Sequence, residues 1–158
     1  MASLRAGGLS LTATIVGAGA SRKDLKRQAD QSGLGDSVRF VAPMPARQAF
    51  ALGRILAVPS RAESFPYIVL EAAAAGKPLI ATKVGGIPDM FGPLAERLIP
   101  PDDRHALERA LSDAVNHPES MHVAACLLRE RVRTNFSLDG MVDGGIDAYC
   151  AAIAARKS

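Results

Sequence analysis

The sequence predicts an α/β fold, a doubly wound parallel sheet of about five strands followed by a helical extension. Two observations support this prediction. Between residues 11 and 100, short apolar segments alternate with helix-like segments, and strands separated by helices pair in parallel through right-handed crossovers. The chain also has 28 alanines but only 4% aromatic residues. That composition favours helices packed closely on a parallel sheet over a sandwich or barrel.

The predicted strands are short apolar or β-branched runs, and glycine or proline closes most of them. These residues mark the turn into the next element. The first run ends at Gly17, and Gly85-Gly86 follows the fourth. Strands are predicted at residues 11–17, 38–41, 54–58, 78–82 and 97–100.

Helices are predicted between these strands, and beyond residue 101 the pattern is helical only. Pro66 suits a first helical turn and Gly76 suits a helix end. Asp102 and Asp103 offer N-caps to the fifth predicted helix, and Ser137 offers one to the amphipathic last helix. The predicted helices cover residues 21–32, 47–52, 66–75, 87–91, 104–115, 118–136 and 137–155.

Composition and charge exclude several classes of protein. With 158 residues, 48% of them hydrophobic, the chain can form one domain with a core that needs no disulfide or metal. The net charge is +3 and the basic residues are scattered, whereas nucleic-acid binding needs a basic cluster. Cys126 and Cys150 form no C-x-x-C motif and are expected to be reduced thiols in a cytoplasmic protein. Neither a signal peptide nor a run of about 18 apolar residues is visible.

The loop after the third predicted strand is the richest candidate site, because ligands bind open parallel sheets at the carboxyl ends of their strands. Glu63 lies in this loop, and Glu71 lies eight residues later, inside the helix that Pro66 begins. The amides of Tyr67 and Ile68 lack intrahelical acceptors and lie at the positive end of the helix dipole. The sequence therefore predicts an anion site for a phosphate.

Glu71 is followed by four alanines and a glycine, a stretch typical of a buried helix. A buried carboxylate costs several kcal/mol unless it is paired or meets hydroxyl donors. A ribose diol would supply such donors. Taken alone, two glutamates at this spacing also fit a purely structural role.

Further residues around the two glutamates form a recognisable pattern. They are Pro59, Ser60, Phe65, Pro66, Leu70, Ala72, Ala75, Gly76, Pro78, Thr82, Gly85, Gly86, Ile87, Pro88 and Asp89. Together with Glu63 and Glu71 they resemble the nucleotide-binding half of the group 1 glycosyltransferases, whose signature is two glutamates with seven residues between them. The resemblance covers most of the chain. It implies a Rossmann-like domain that forms half of a GT-B fold, and retaining transfer of a sugar from a nucleotide-sugar to an unknown acceptor.

The resemblance also implies roles at matching positions. Glu71 would accept hydrogen bonds from the donor ribose, and Glu63 would lie beside the transferred sugar and the diphosphate. Glu63 is therefore the expected catalytic residue, in an electrostatic or positioning role at an oxocarbenium-like carbon. No cofactor or metal is expected, because helix-end amides and a cation can stabilise the leaving diphosphate. The remaining expected donor contacts are Gly17, Gly19, Ser64, Phe65, Pro66, Tyr67 and Ile68.

Parts of the family pattern are absent from this sequence. The family's C-terminal domain begins with a strand that ends in Gly-Arg and is followed by a lysine, whereas Arg5 is the one basic residue before Leu11. We therefore expect residues 1–158 to be one truncated donor-binding domain, inactive alone, with bare apolar surface toward the cleft. The missing N-terminal acceptor domain would be its partner and the route of any membrane association.

Two alternatives stay open. The chain could be a non-catalytic nucleotide-sugar-binding or interaction domain, or half of another GT-B enzyme such as a nucleotide-sugar epimerase. Dinucleotide binding is disfavoured, because Arg22 stands where the glycine-rich fingerprint that starts at Gly17 needs its third glycine.

Other candidate groups carry weaker signals. The three histidines lack metal-type spacing, and Ser60 and Ser64 lack the G-x-S-x-G elbow of serine hydrolases. Arg61 and Lys83 follow predicted strands. Either could meet a phosphate, although exposure to solvent is the expectation for both.

Overall fold

The computed structural model describes residues 1–155, apart from the side chain of Leu138. Within this range the α/β alternation predicted from the sequence is present, and after residue 101 the chain is helical. The strands are β1 (Ala13–Val16), β2 (Val38–Val41), β3 (Leu56–Val58) and β4 (Leu79–Ala81). The helices are α1 (Ala2–Ala6), α2 (Arg22–Gln31), α3 (Ala46–Phe50), α4 (Tyr67–Ala74), α5 (Ile87–Phe91), α6 (Arg104–Asn116), α7 (Pro118–Asn135) and α8 (Leu138–Ala155).

All strand pairing is parallel within the described residues, but the strands form two pairs rather than one continuous sheet. In the first pair Ala13 of β1 lies opposite Val38 of β2, and in the second Leu56 of β3 lies opposite Leu79 of β4. The prediction of parallel strands is therefore confirmed. The prediction of a single ladder of about five strands is not matched by the observed pairing.

The fifth predicted strand, 97–100, is reduced to one parallel bridge between Thr82 and Ile99. A 3-10 helix, Gly92–Arg97, occupies the residues before it, and Pro100 has no amide hydrogen to donate to a ladder. Only Ile99 is left to pair, donating to Ala81 and accepting from Lys83.

The core surrounds β4 and is built from residues between Val58 and Val132. Ile80 packs in one buried cluster and Ala81 in another, because successive strand residues point to opposite faces. α7 contributes buried side chains at helical spacing to both clusters. Its buried members are Met121, Ala125, Leu128 and Val132.

The first pair of strands is much less buried. No residue before Phe50 is buried, and Ile15 in β1 is 43% exposed. Central strands of a doubly wound sheet are normally covered on both faces, so β1 and β2 lack cover that β3 and β4 have.

Two helix N-termini have the side-chain caps that the sequence predicts. The side chain of Asp103 accepts a hydrogen bond from the Ala106 amide at 2.8 Å, and Ser137 accepts one from Gly140 at 3.1 Å. Asp102 does not act as the N-cap of α6, which is Asp103; the backbone of Asp102 is left-handed, with φ +56°. Pro66 was expected in the first turn of α4, yet it is the N-cap, with an extended backbone at φ −75° and ψ 107°.

The C-terminal helix α8 is exposed along its apolar face. The exposed side chains Val142, Ile146, Tyr149 and Ile153 recur every three or four residues, which places them on one side of the helix. Across residues 1–155, no helix is both long and apolar enough to cross a membrane. Cys126 and Cys150 are not joined by a disulfide.

Candidate functional site

The loop between β3 and α4, residues 59–66, presents Glu63 in a fixed orientation. The Ser60 hydroxyl donates a hydrogen bond to Oε1 of Glu63 at 2.7 Å. Both side chains are half-buried. This bond holds one carboxylate oxygen and leaves the other available to a ligand.

Thr82, at the end of β4, anchors the start of the β3–α4 loop. Its side chain is almost fully buried, with 1% exposure. The hydroxyl donates to the Ser60 carbonyl at 2.6 Å, and the amide donates to the Val58 carbonyl at 3.3 Å. The same threonine therefore ties the strand end and the residue that orients Glu63.

Gly85 and Gly86 pack directly against the β3–α4 loop. Gly85 has φ +51°, and a Cβ built there would lie 1.8 Å from the Glu63 carbonyl oxygen. The Gly86 amide donates to the Ser64 carbonyl at 2.7 Å, and a Cβ at Gly86 would lie 2.7 Å from Cδ2 of Phe65. Gly85 is needed both for the left-handed turn and for the close approach to the loop, whereas Gly86, with φ −78°, is needed for the close approach alone.

The start of α4 supplies free amide donors. Pro66 is buried as the N-cap, and its carbonyl accepts from Val69 at 3.0 Å. None of the described residues provides an acceptor for the amides of Tyr67 and Ile68. The helix dipole adds partial positive charge at this end. The pair of donors predicted from the sequence is therefore present, while Pro66 contributes no amide.

Glu71 is exposed, which corrects the expectation that it lies in a buried helix. The buried face of α4 is formed by Val69, Ala72 and Ala73. Glu71 lies one helical turn after Tyr67, whose side chain is 68% exposed. Ala72 and Ala73 make the contact with the core, so the carboxylate of Glu71 avoids the desolvation cost and can accept bonds from a ligand.

The turn at Gly17 and Gly19 lies at the carboxyl end of the other strand pair. The Gly17 amide donates to the Val41 carbonyl at 3.1 Å. Arg22 spans the ends of both strands, since its guanidinium donates to the carbonyls of Gly17 and Phe40, each at 3.1 Å. In the described residues, no hydrogen bond or ion pair joins this turn to the β3–α4 loop.

The cations near the site differ in their availability. Arg61 pairs with Asp102, Nε to Oδ1, at 2.7 Å, with both side chains largely exposed. Lys83 follows β4, is exposed, and has no ion pair among the residues described. Both therefore face solvent, as the sequence predicts. A search of residues 1–155 finds no cluster of His, Cys, Asp and Glu that could hold a metal ion.

Two residues that matter for this arrangement are absent from the predicted site. Thr82 matches the family pattern but carries no predicted role, although a polar residue closing an apolar strand is a usable signal. Phe136 contacts the Phe65 ring with the centroids 6.1 Å apart. No local pattern connects two residues so far apart in the chain.

Comparison with known families supports the resemblance. A family model described as "Glycosyl transferases group 1" matches residues 1–126. D-inositol 3-phosphate glycosyltransferase of Saccharomonospora viridis is 32% identical over 139 residues, which are 85% of this chain and 32% of that protein. O-antigen chain mannosyltransferase C of Escherichia coli is 28% identical over 154 residues, 93% of this chain and 41% of that protein.

Solved structures with the same fold include sucrose-phosphate synthase from Thermosynechococcus elongatus. It superposes with a TM-score of 0.75 at 27% identity, covering 90% of this chain and 38% of that one. The C-terminal domain of a group 1 family protein from Francisella tularensis superposes with a TM-score of 0.69 at 21% identity, covering 80% of this chain and 70% of that one. The chain spans about a third of the length of the D-inositol 3-phosphate glycosyltransferases that it matches. It belongs to the group 1 glycosyltransferases, and its fold is that of the family's C-terminal GT-B half.

Proposed function

We propose that this chain is the donor-binding domain of a glycosyltransferase that moves a sugar from a nucleotide-sugar to an acceptor, with retention at the anomeric carbon. The observation that carries the proposal is the geometry of the β3–α4 segment. One short stretch contains the oriented carboxylate of Glu63, the free amides of Tyr67 and Ile68, and the exposed carboxylate of Glu71.

These groups match what the departing nucleotide needs. Breaking a bond between a sugar and a diphosphate leaves negative charge on the phosphate. Preorganised amides at a helix N-terminus stabilise developing negative charge. The amides of Tyr67 and Ile68 would take this role, with Ser64, Phe65 and Pro66 shaping the approach to them. Lys83 is an available cation for the same phosphates. Because these donors belong to the protein, we expect transfer to be independent of metal ions and cofactors.

The two glutamates would act on different parts of the donor. The Glu63 carboxylate would face the sugar, where it stabilises positive charge at the anomeric carbon or orients the ring. The Ser60 hydroxyl limits its movement. Glu71 would accept hydrogen bonds from the ribose hydroxyls, and the turn at Gly17 and Gly19 would border the donor from the other strand pair.

We also propose that transfer requires a second domain and a further strand. The chain spans about a third of the matching relatives' length, and no ladder joins β1 to β3 within the described residues. In a doubly wound sheet of strand order 3-2-1-4-5-6 the first strand lies at the centre. A strand preceding β1 would therefore lie between the two pairs. The acceptor, and any contact with a membrane, would belong to the second domain. We place the protein in the cytoplasm.

Calorimetric titration with uridine, guanosine and adenosine diphosphates tests the nucleotide role. We expect one of the three to bind, and Glu71→Ala to weaken that binding at least tenfold, because a hydrogen bond to a charged group contributes about 1.5–3 kcal/mol. Glu96→Ala is the matched control, since Glu96 is also an exposed glutamate but lies outside the β3–α4 segment. Equal affinity in the wild type and Glu71→Ala would show that Glu71 does not bind the nucleotide.

A second candidate is a nucleotide-sugar-binding domain without transferase activity. It is favoured by the cations at the strand ends, because Arg22 is occupied by backbone carbonyls and Arg61 by Asp102. The two candidates can be distinguished by expressing the chain together with the segment that precedes it in the open reading frame. Release of nucleotide from a nucleotide-sugar by that longer protein supports the enzyme, and tight binding without release supports the second candidate.

A further inference from the structure

The ring of Phe65 is held by three separate elements, although its side chain is 40% exposed. The Tyr67 ring packs against it edge-on, with centroids 6.2 Å apart and planes at 80°. The Phe136 ring lies 6.1 Å away at 42°. On the third side, Gly86 is so close that a Cβ there would lie 2.7 Å from Cδ2 of Phe65.

Phe136 itself is fixed by the core. It follows the last turn of α7, where its amide donates to the Val132 carbonyl at 3.0 Å. Its side chain packs against the buried cluster that contains Leu128 and Val132. The position of this ring is therefore set by α7, not by the β3–α4 loop.

α7 is also tied to the helix that follows the two glycines. Arg131 donates from Nε to the Met90 carbonyl at 3.0 Å and from a terminal nitrogen to the Asp89 carbonyl at 2.8 Å. Both carbonyls belong to α5, which begins directly after Gly86. The contacts close a ring from α7 through α5 and Gly86 to Phe65, and from Phe65 through Phe136 back to α7.

We infer that Phe136 is a positioning residue for the donor site and acts through Phe65. Phe65 lies between Glu63 and the free amides of Tyr67 and Ile68, so its ring position sets how far apart the sugar-facing and phosphate-facing groups lie. The inference rests on the proposed function. Without the Phe136 ring, Phe65 keeps its contacts with Tyr67 and Gly86 but loses the support that comes from α7.

The test compares two phenylalanine-to-leucine variants. Phe136→Leu keeps apolar volume and removes the ring contact. Phe50→Leu makes the same change at a buried phenylalanine on α3, outside the β3–α4 segment. Phe136→Tyr keeps the ring and serves as the rescue. Binding of the nucleoside diphosphate that the wild type prefers is measured by calorimetry, and stability by urea unfolding. We expect about a tenfold loss of affinity in Phe136→Leu, which corresponds to about 1.4 kcal/mol, the size of one weakened hydrogen bond to a charged phosphate. Phe136→Tyr keeps the ring contact and Phe50→Leu lies outside the β3–α4 segment, so both should stay within about twofold of the wild-type affinity.

A second measurement reports the loop without any ligand. The chain has two tyrosines, Tyr67 beside Phe65 and Tyr149 on α8. In a Tyr149→Phe background labelled with 3-fluorotyrosine, the fluorine resonance of Tyr67 is the sole signal. We expect Phe136→Leu to shift or broaden this resonance and Phe50→Leu to leave it unchanged at equal or greater loss of stability.

The two measurements separate failure of this inference from failure of the proposed function. Unchanged affinity together with an unchanged Tyr67 resonance in Phe136→Leu overturns the inference. Changes of equal size in Phe50→Leu also overturn it, because they would show a general loss of packing. If the wild type binds none of the three nucleotides, the proposed function fails, and the Tyr67 resonance alone decides whether Phe136 positions the loop.

Discussion

Substitution of Gly85 by alanine is expected to disrupt both folding and nucleotide binding. The backbone at Gly85 has φ +51°, where an alanine costs about 1–2 kcal/mol. The added Cβ would lie 1.8 Å from the Glu63 carbonyl oxygen, so that oxygen must retreat by about 1 Å to reach even a 3.0 Å contact. Overpacking of this kind costs typically about 1–3 kcal/mol more. The free energy of unfolding should fall by about 2–5 kcal/mol in total.

The same displacement moves the donor site. Glu63 and Ser64 would shift away from Gly85 and Gly86, and the bond from the Gly86 amide to the Ser64 carbonyl would lengthen from 2.7 Å. A misplacement of about 1 Å can cost up to about a hundredfold in reaction rate, and a nucleotide that contacts the displaced segment should bind more weakly as well. Calorimetry with the preferred nucleoside diphosphate measures the loss of affinity, and urea unfolding followed by circular dichroism measures the loss of stability.

Gly33→Ala is the matched control for the cost of placing alanine at a positive φ. Gly33 has φ +67°, and a Cβ there would meet nothing within 4 Å. The free energy of unfolding of this variant should fall by only about 1–2 kcal/mol, the cost of alanine in a left-handed backbone. The variant should bind nucleotide like the wild type. If Gly85→Ala loses no more stability than Gly33→Ala and keeps full affinity, the close packing of Gly85 against Glu63 does not hold in solution.

Two further predictions concern the side chains of Thr82 and Lys77. Thr82→Val keeps the shape of the side chain but removes the donor to the Ser60 carbonyl, so urea unfolding should show a loss of about 1–3 kcal/mol; an unchanged unfolding midpoint would mean that this bond adds nothing. Burial lowers the pKa of Lys77 below 10.5, so the unfolded chain binds this proton more tightly and the free energy of unfolding should rise with pH from just below the lowered pKa up to about 10.5. Lys77→Gln should remove that rise, and a slope that persists in the variant would assign it to another group.

The strands were predictable because their signals are local. β1 to β4 fall inside the predicted runs, since β-branched residues and the glycines or prolines after them act within a few positions. The segment around Ile99 failed as a strand because a 3-10 helix precedes it and Pro100 follows it. Leu98 and Ile99 are buried, but the backbone of this segment pairs at one position only.

The environment of the candidate site was not predictable from the sequence. The four alanines after Glu71 predict a buried helix, whereas the buried residues of α4 are Val69, Ala72 and Ala73. The burial of α4 follows its face, so Ala72 is buried and its neighbour Glu71 is exposed. Phe136 could not be found from the sequence, because its contact with Phe65 exists only after α7 has packed on the core.

The break between the two strand pairs has a consequence for the dynamics of the chain. Segments without buried contacts open with low free energy, whereas core segments exchange their amide hydrogens only when the whole domain unfolds. The β1–α2–β2 unit has no buried side chain, so its amides should exchange long before those of β3 and β4. A nucleotide that touches both Gly17 and Glu71 would bridge these two units. Its binding would then slow exchange in β1 and β2, because the ligand would add a contact between the two strand pairs that no strand pairing among the described residues makes.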